Sequence, residues 1–139
     1  MGDKALSYAI NIARPAGATI NILHVVEPLP KPPLFVFSKA ESRRIGKELD
    51  SVTNALSKDI KEELRIRAEF CRAKNINANY LVVNGRPEDE ILNYAKKHHI
   101  DMIVMAKRRK LPGIQGILKL GSVSRKVLEA TNKPILTVE

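Results

Sequence analysis

The chain has 139 residues, 44% hydrophobic and 28% charged, a balance that fits one globular domain and excludes disordered and fibrous classes. Its net charge of +9 favours anionic partners, whether nucleotides, nucleic acid, lipid head groups or acidic proteins. The lone Cys71 excludes an internal disulfide and a cysteine-built metal site, and no apolar run or secretory leader is visible, so a cytoplasmic protein without a membrane span is expected.

The first predicted element is a helix over residues 4–14. Leu6, Ala9, Ile10 and Ala13 recur at the spacing of one buried helical stripe, Asp3 is the natural N-cap, and Pro15 and Gly17 are expected to end it. Residues 19–26 (TINILHVV) then read as a strand apolar enough to be buried on both faces. His24 lies inside that run without a second ligand at metal spacing, so no metal site is read there. Residues 27–37 contain four prolines and read as an extended apolar connection, a packed loop or a contact with a second subunit.

From residue 38 to about 74, Ile45, Leu49, Val52, Leu56, Ile60 and Leu64 step by three or four. This predicts one long amphipathic helix with a break near Gly46. A second strand covers residues 77–83, and Gly85 and Pro87 turn the chain into a helix that buries Ile91, Leu92 and Ala95. Glu88, Asp89 and Glu90 sit at the positive end of that helix. Adjacent carboxylates can serve acid–base chemistry, but in this position they read as partners of the helix dipole. A strand at 102–106, a helix at 122–131 and a strand at 134–138 complete the chain. Strands alternating with helices predict an α/β fold with a mainly parallel sheet, right-handed crossovers, and ligands beyond the carboxyl ends of the strands.

Between the third strand and the last helix come Lys107, Arg108, Arg109 and Lys110, then Gly113 and Gly116, then the turn Gly121-Ser122-Val123-Ser124. Unpaired N–H groups and the helix dipole make such a helix start attractive to anions. The competing reading is that Ser122 only caps its helix and the four cations form a solvated loop.

Taken together, Gly85-x-Pro87-x-x-x-Ile91-x-x-x-Ala95, the DMIVM strand, Gly121-Ser122-Val123-Ser124-x-x-Val127 and the terminal KPILTV segment resemble the universal stress protein family. ALSYAINIARPAGATINILHVVEP is similar to the first helix and second strand of that family. The resemblance implies a doubly wound, Rossmann-like α/β sandwich that forms a homodimer through the last strand, residues 134–138. It also implies a regulatory role in stress responses, often with bound ATP or another adenine nucleotide, Mg2+ arriving only with the nucleotide, and no enzymatic turnover beyond slow ATP hydrolysis. By the same resemblance Gly121, Ser122, Val123 and Ser124 form the phosphate turn, Val25 and Met105 line the base pocket, and Ala106, Arg108 and Arg109 border the nucleotide.

Two departures from the family pattern stand out. The family's first strand, which ends in a Val-Asp-Gly-Ser-like turn, is absent; truncation at the amino end is the favoured explanation, and the absence would leave a slot inside the sheet. The family's Gly-x-x-Gly, nine residues, Gly-Ser motif is also altered. Ala106 and Arg109 stand at its first two glycine positions with eleven residues before Gly121, while the Gly113 and Gly116 pair leaves only four. The alternative function is therefore a docking module that holds an acidic protein or transporter through the basic loop 107–110. Nucleic-acid binding is disfavoured, because aromatics make up 4% of the chain and are not interleaved with the cations.

Overall fold

The computed structural model describes residues 2–30, 35, 37–106 and 122–139. Four helices and four strands alternate within them: α1 (Asp3–Ala16), β1 (Ile20–Val26), α2 (Lys39–Ala73), β2 (Ala78–Asn84), α3 (Pro87–Lys97), β3 (Ile103–Ala106), α4 (Ser122–Ala130) and β4 (Ile135–Val138).

The first three helices stop in the same way. Gly17, Asn75 and His99 each take a left-handed backbone conformation, with φ of 60°, 60° and 49°. The next residue then donates back across the helix end, Ala18 to Ala13, Ile76 to Cys71 and Ile100 to Ala95, at 3.0, 3.1 and 3.0 Å. These bonds satisfy carbonyls that the helix cannot, and they aim the chain at the following strand. For α1 this corrects the expected boundary: the helix runs through Pro15 to Ala16, and Gly17 supplies the stop. Nor is Asp3 the N-cap. Gly2 occupies that position without a side-chain bond, and the Asp3 carboxylate instead accepts from Arg67 Nε on α2 at 3.0 Å.

Helix α2 runs for 35 residues without the break expected at Gly46. A glycine inside a helix costs only about 1 kcal/mol against alanine. Here the helix start is secured by a capping box, in which Ser38 Oγ accepts from Glu41 N–H and the Glu41 carboxylate accepts from Ser38 N–H. Its inward face matches the predicted stripe at the buried Leu64 and the half-buried Ile45, Leu49 and Ile60, but departs from it at two positions. Thr53, Leu64, Ala68 and Cys71 point inward, whereas Val52 and Leu56 are 56% and 49% exposed. The hydroxyls make this rotation tolerable: Thr53 donates to the Leu49 carbonyl and Ser57 to the Thr53 carbonyl, each at 2.9 Å, so neither enters the interface unpaired.

The strands form two parallel pairs. β1 lies beside β2 in register from Ile20 opposite Ala78 to Val26 opposite Asn84, and β3 lies beside β4 from Ile103 opposite Ile135 to Ala106 opposite Val138. Helix α3, which links β2 to β3, crosses over β1, where Tyr94 Oη lies 3.3 Å from Asn21 Oδ1. β3 therefore falls on the side of β1 away from β2, and the winding is double. Helix α1 packs on β1, β3 and β4, so it spans both pairs. Among the described residues no ladder joins β1 to β3. That explains why β1 departs from the expected two-sided burial: only Ile20 and Val26 are buried, and His24 is exposed.

Two cores result. Ile10, Ala13, Ile20, Ala68, Cys71, Ile76 and Ala78 pack between α1, α2 and the first pair, while Ala95, Ile103 and Val127 pack between α3, α4 and the second. Leu64→Ala should cost about 2–5 kcal/mol by emptying a buried site, while Val52→Ala should stay within about 0.5 kcal/mol. Urea denaturation of the two variants checks that these two positions of one predicted stripe differ in burial.

Candidate functional site

Val25 is the penultimate residue of β1, and Met105 and Ala106 close β3; all three are half-buried. Ser122 opens α4 and is exposed, while Val123 packs into the same apolar cluster as Met105. Both residues pack against the buried Ala95, Ile103 and Val127, so the first turn of α4 and the end of β3 border one core. Ser124 is only 4% exposed and Val127 is fully buried, so the helix turns these two residues into the protein and leaves Ser122 at the mouth. Arg108, Arg109 and Gly121, together with Lys107, Lys110, Gly113 and Gly116, lie outside the described residues.

The starts of α3 and α4 differ in charge. α3 carries Glu88, Asp89 and Glu90 in its first turn, whereas α4 carries no acidic residue there. The positive end of α4 is thus uncompensated by its own sequence, which suits an anionic ligand, while that of α3 is already neutralised.

Glu88 does more than the sequence reading assigned it. It is 8% exposed, and its Oε1 accepts from Lys126 Nζ on α4 at 2.8 Å and from Arg86 Nη2 at 3.0 Å. The bond from Lys126, then the backbone N–H of Glu88 itself, and more weakly Arg86 hold its carboxyl down at about 2, against a smaller opposing effect of burial. This bridge ties α3 to α4 across 38 residues of sequence, a separation that local charge patterning does not reveal.

Two other features surround the strand ends. A cavity of about 260 Å³ lies beyond β2 and is walled by Leu29, Leu49, Asp50, Thr53, Asn54 and Asn84. Ser57 Oγ lies 3.2 Å from Asn84 Oδ1 and anchors α2 there. Although exposed overall, the His24 imidazole is partly desolvated, which pushes it below the ordinary value, with Glu63 opposing and Arg67 reinforcing that shift. Among the described residues no group of three or more His, Cys, Asp or Glu is placed to hold a metal ion.

Comparison with known proteins follows the same lines as the geometry. The model of the universal stress protein family matches residues 1–139. The chain is 32% identical to the universal stress protein YxiE of Bacillus subtilis, over 99% of this chain and 90% of that protein. Its fold is similar to that of UspA from Lactobacillus plantarum, with a TM-score of 0.77 at 22% identity over 97% of this chain and 87% of that one. It is also similar to an Archaeoglobus fulgidus universal stress protein in complex with dAMP, with a TM-score of 0.59, 20% identity, and coverage of 100% and 90%. A universal stress protein in complex with cAMP gives a TM-score of 0.61 at 19% identity, with coverage of 97% and 84%.

The Glu88 bridge has a measurable pH signature. Because the folded carboxyl titrates at about 2 rather than 4.5, its contribution is complete above the higher value and is lost as pH falls towards the lower one. Glu88→Gln should therefore lower Tm near neutrality and flatten the fall of Tm between pH 4.5 and 2, as read by circular dichroism melts.

Proposed function

The chain belongs to the universal stress protein family, and on that premise we propose that it is a cytoplasmic regulatory protein that binds an adenine nucleotide, ATP in the first instance. The observation that carries this reading is the start of α4. Its first turn has no acidic residue, and Val123 packs against the same buried cluster as Met105 at the end of β3. The dAMP and cAMP complexes of proteins with the same fold support the choice of an adenine nucleotide.

In this reading Val25 and Met105 line the base, Ala106 borders the ribose, and the N–H groups of Gly121 to Ser124 with the Ser122 hydroxyl receive the phosphates. Arg108 and Arg109 add positive charge from the loop, and Mg2+ enters only with the nucleotide. Ligand binding then acts by mass action, stabilising the folded and associated state rather than driving a turnover step. Docking of an acidic protein to loop 107–110 rests on sequence charge alone, and it is the reading that would survive if nucleotide failed to bind.

Calorimetric titration with Mg-ATP should give saturable binding, and a flat trace at millimolar nucleotide would remove the proposal. A hydrogen bond to a charged group is worth about 1.5–3 kcal/mol, so Ser122→Ala should weaken ATP by roughly 10- to 100-fold. Its melting temperature should barely move, because Ser122 is exposed. Equal losses of stability and affinity would identify Ser122 as a cap.

We assign homodimer formation to β4 on the contrast between the two outer sheet edges. At the β2 edge, Arg72 on α2 donates from Nη2 and Nε to the Ala78 carbonyl at 2.6 and 3.1 Å. No such cover lies on β4 among the described residues. Ile103 N–H bonds to the Pro134 carbonyl, so strand alternation turns Leu136 towards β3 and the Thr137 N–H outward. Thr137→Pro should thus give monomers while sparing the β3–β4 ladder, and an unchanged sedimentation profile would rule this edge out.

A further inference from the structure

Helix α2 is much longer than the strand it covers. Its 35 residues extend about 52 Å, whereas the 7 residues of β2 extend about 23 Å. Arg72 meets β2 at Ala78, its first residue, and Ser57 meets it at Asn84, its last. Everything in α2 before Ser57 therefore overhangs the carboxyl edge of the sheet. Within that overhang Leu49 is still half-buried and Thr53 buried. The segment leaving β1, with Pro28 and Leu29, forms the opposite wall, and together they enclose the cavity of about 260 Å³.

The polar lining of this cavity is rich in acceptors. Thr53 Oγ spends its proton on the Leu49 carbonyl at 2.9 Å, which leaves its lone pairs. The single proton of Ser57 goes to the Thr53 carbonyl at 2.9 Å, so Asn84 Oδ1, 3.2 Å from the same hydroxyl, keeps acceptor capacity. Asp50 adds a carboxylate with neither an ion pair nor a hydrogen bond among the described residues. No Lys or Arg lines the cavity, although the chain carries a net charge of +9. The fitting ligand is thus a cation that carries several donors. A divalent metal ion is poorly served, because calcium takes about six to eight oxygen ligands and the described residues hold no group of three or more metal-binding side chains. Leu49, Pro28 and Leu29 instead offer apolar surface to a hydrocarbon stem. Among organic cations a guanidinium suits the site better than an ammonium: it is more weakly hydrated, and its planar fork matches a carboxylate at two points.

We propose that this cavity binds a small aliphatic guanidinium, its planar head among Asp50, Thr53 and Asn84 and its stem on Pro28, Leu29 and Leu49. The volume lies at the small end of ligand pockets and limits the stem to about four carbons. Occupancy braces the overhanging half of α2 against the exit from β1. The cavity shares no residue with the proposed nucleotide position, so the two readings stand or fall separately.

The test titrates n-butylguanidinium chloride into the full chain without nucleotide, at constant ionic strength, and follows the backbone amides by NMR. Saturable shifts are expected at Leu49, Asp50, Thr53, Asn54 and Asn84, with a dissociation constant of about 1 mM or below, in keeping with a ligand of about eight non-hydrogen atoms. n-Butylurea has the same shape but no charge, and it should bind roughly tenfold more weakly or worse. Asp50→Asn should cost a similar factor and leave Tm unchanged, because Asp50 is exposed and unpaired among the described residues. Asn54→Lys, which sets a cation in the wall, should abolish binding. N-acetylarginine amide separates the sources: weaker binding than butylguanidinium supports a free ligand, and tighter binding supports an arginine side chain of a partner. Linear shifts without saturation would overturn the proposal. Equal affinity for n-butylurea, or an unchanged affinity in Asp50→Asn, would do the same.

Discussion

Backbone hydrogen-bond valence governs this molecule more than any side-chain contact does. Each strand residue presents one donor and one acceptor to a single side, so a strand inside a sheet needs two neighbours. β1 and β3 each have one among the described residues, and two parallel pairs stand where one continuous sheet would be expected. What holds the pairs in register is the helices. α1 spans both pairs on one face, and α3 crosses β1 on the other before handing the chain to β3. Much of the fold therefore rests on connections that bridge the sheet rather than on the sheet itself.

Much of this was readable from the residues. The alternation of elements and the parallel pairing follow from patterns of branched strands and amphipathic helices. What escaped was decided by tertiary or chemical context. Gly46 looked like a break because propensity is local, yet the capping box at Ser38 and the packing further along α2 carry the helix through it. The α2 stripe holds at Ile45, Leu49, Ile60 and Leu64 but not at Val52 and Leu56, because apolarity alone does not decide burial. Thr53 and Ser57 can turn inward by bonding to their own helix, which leaves Val52 and Leu56 outside.

The candidate site was legible only in part. Ser122 was singled out by the signature of a helix start and Met105 by the family resemblance, and Val123 and Met105 share an apolar cluster. The role of Glu88 was invisible, since its cation lies on a helix far along the chain. The acidic start of α3 and the non-acidic start of α4 also acquire meaning only side by side. Lys126 of α4 is drawn to the carboxylate of α3, so the pair is fastened at one point while the amino end of α4 keeps its positive field.

Arg72 has a consequence for assembly. A parallel sheet with two open outer edges can grow from either side, and copies adding head to tail would continue into a filament. By binding the Ala78 carbonyl, the guanidinium places a fixed positive charge and a spent acceptor at the beginning of one outer edge. In the proposed homodimer the β4 side is the edge left for association, and pairing of like edges about a twofold axis would use up the site on both copies. On that proposal a single side chain of α2 biases the chain towards closed association and away from open-ended aggregation.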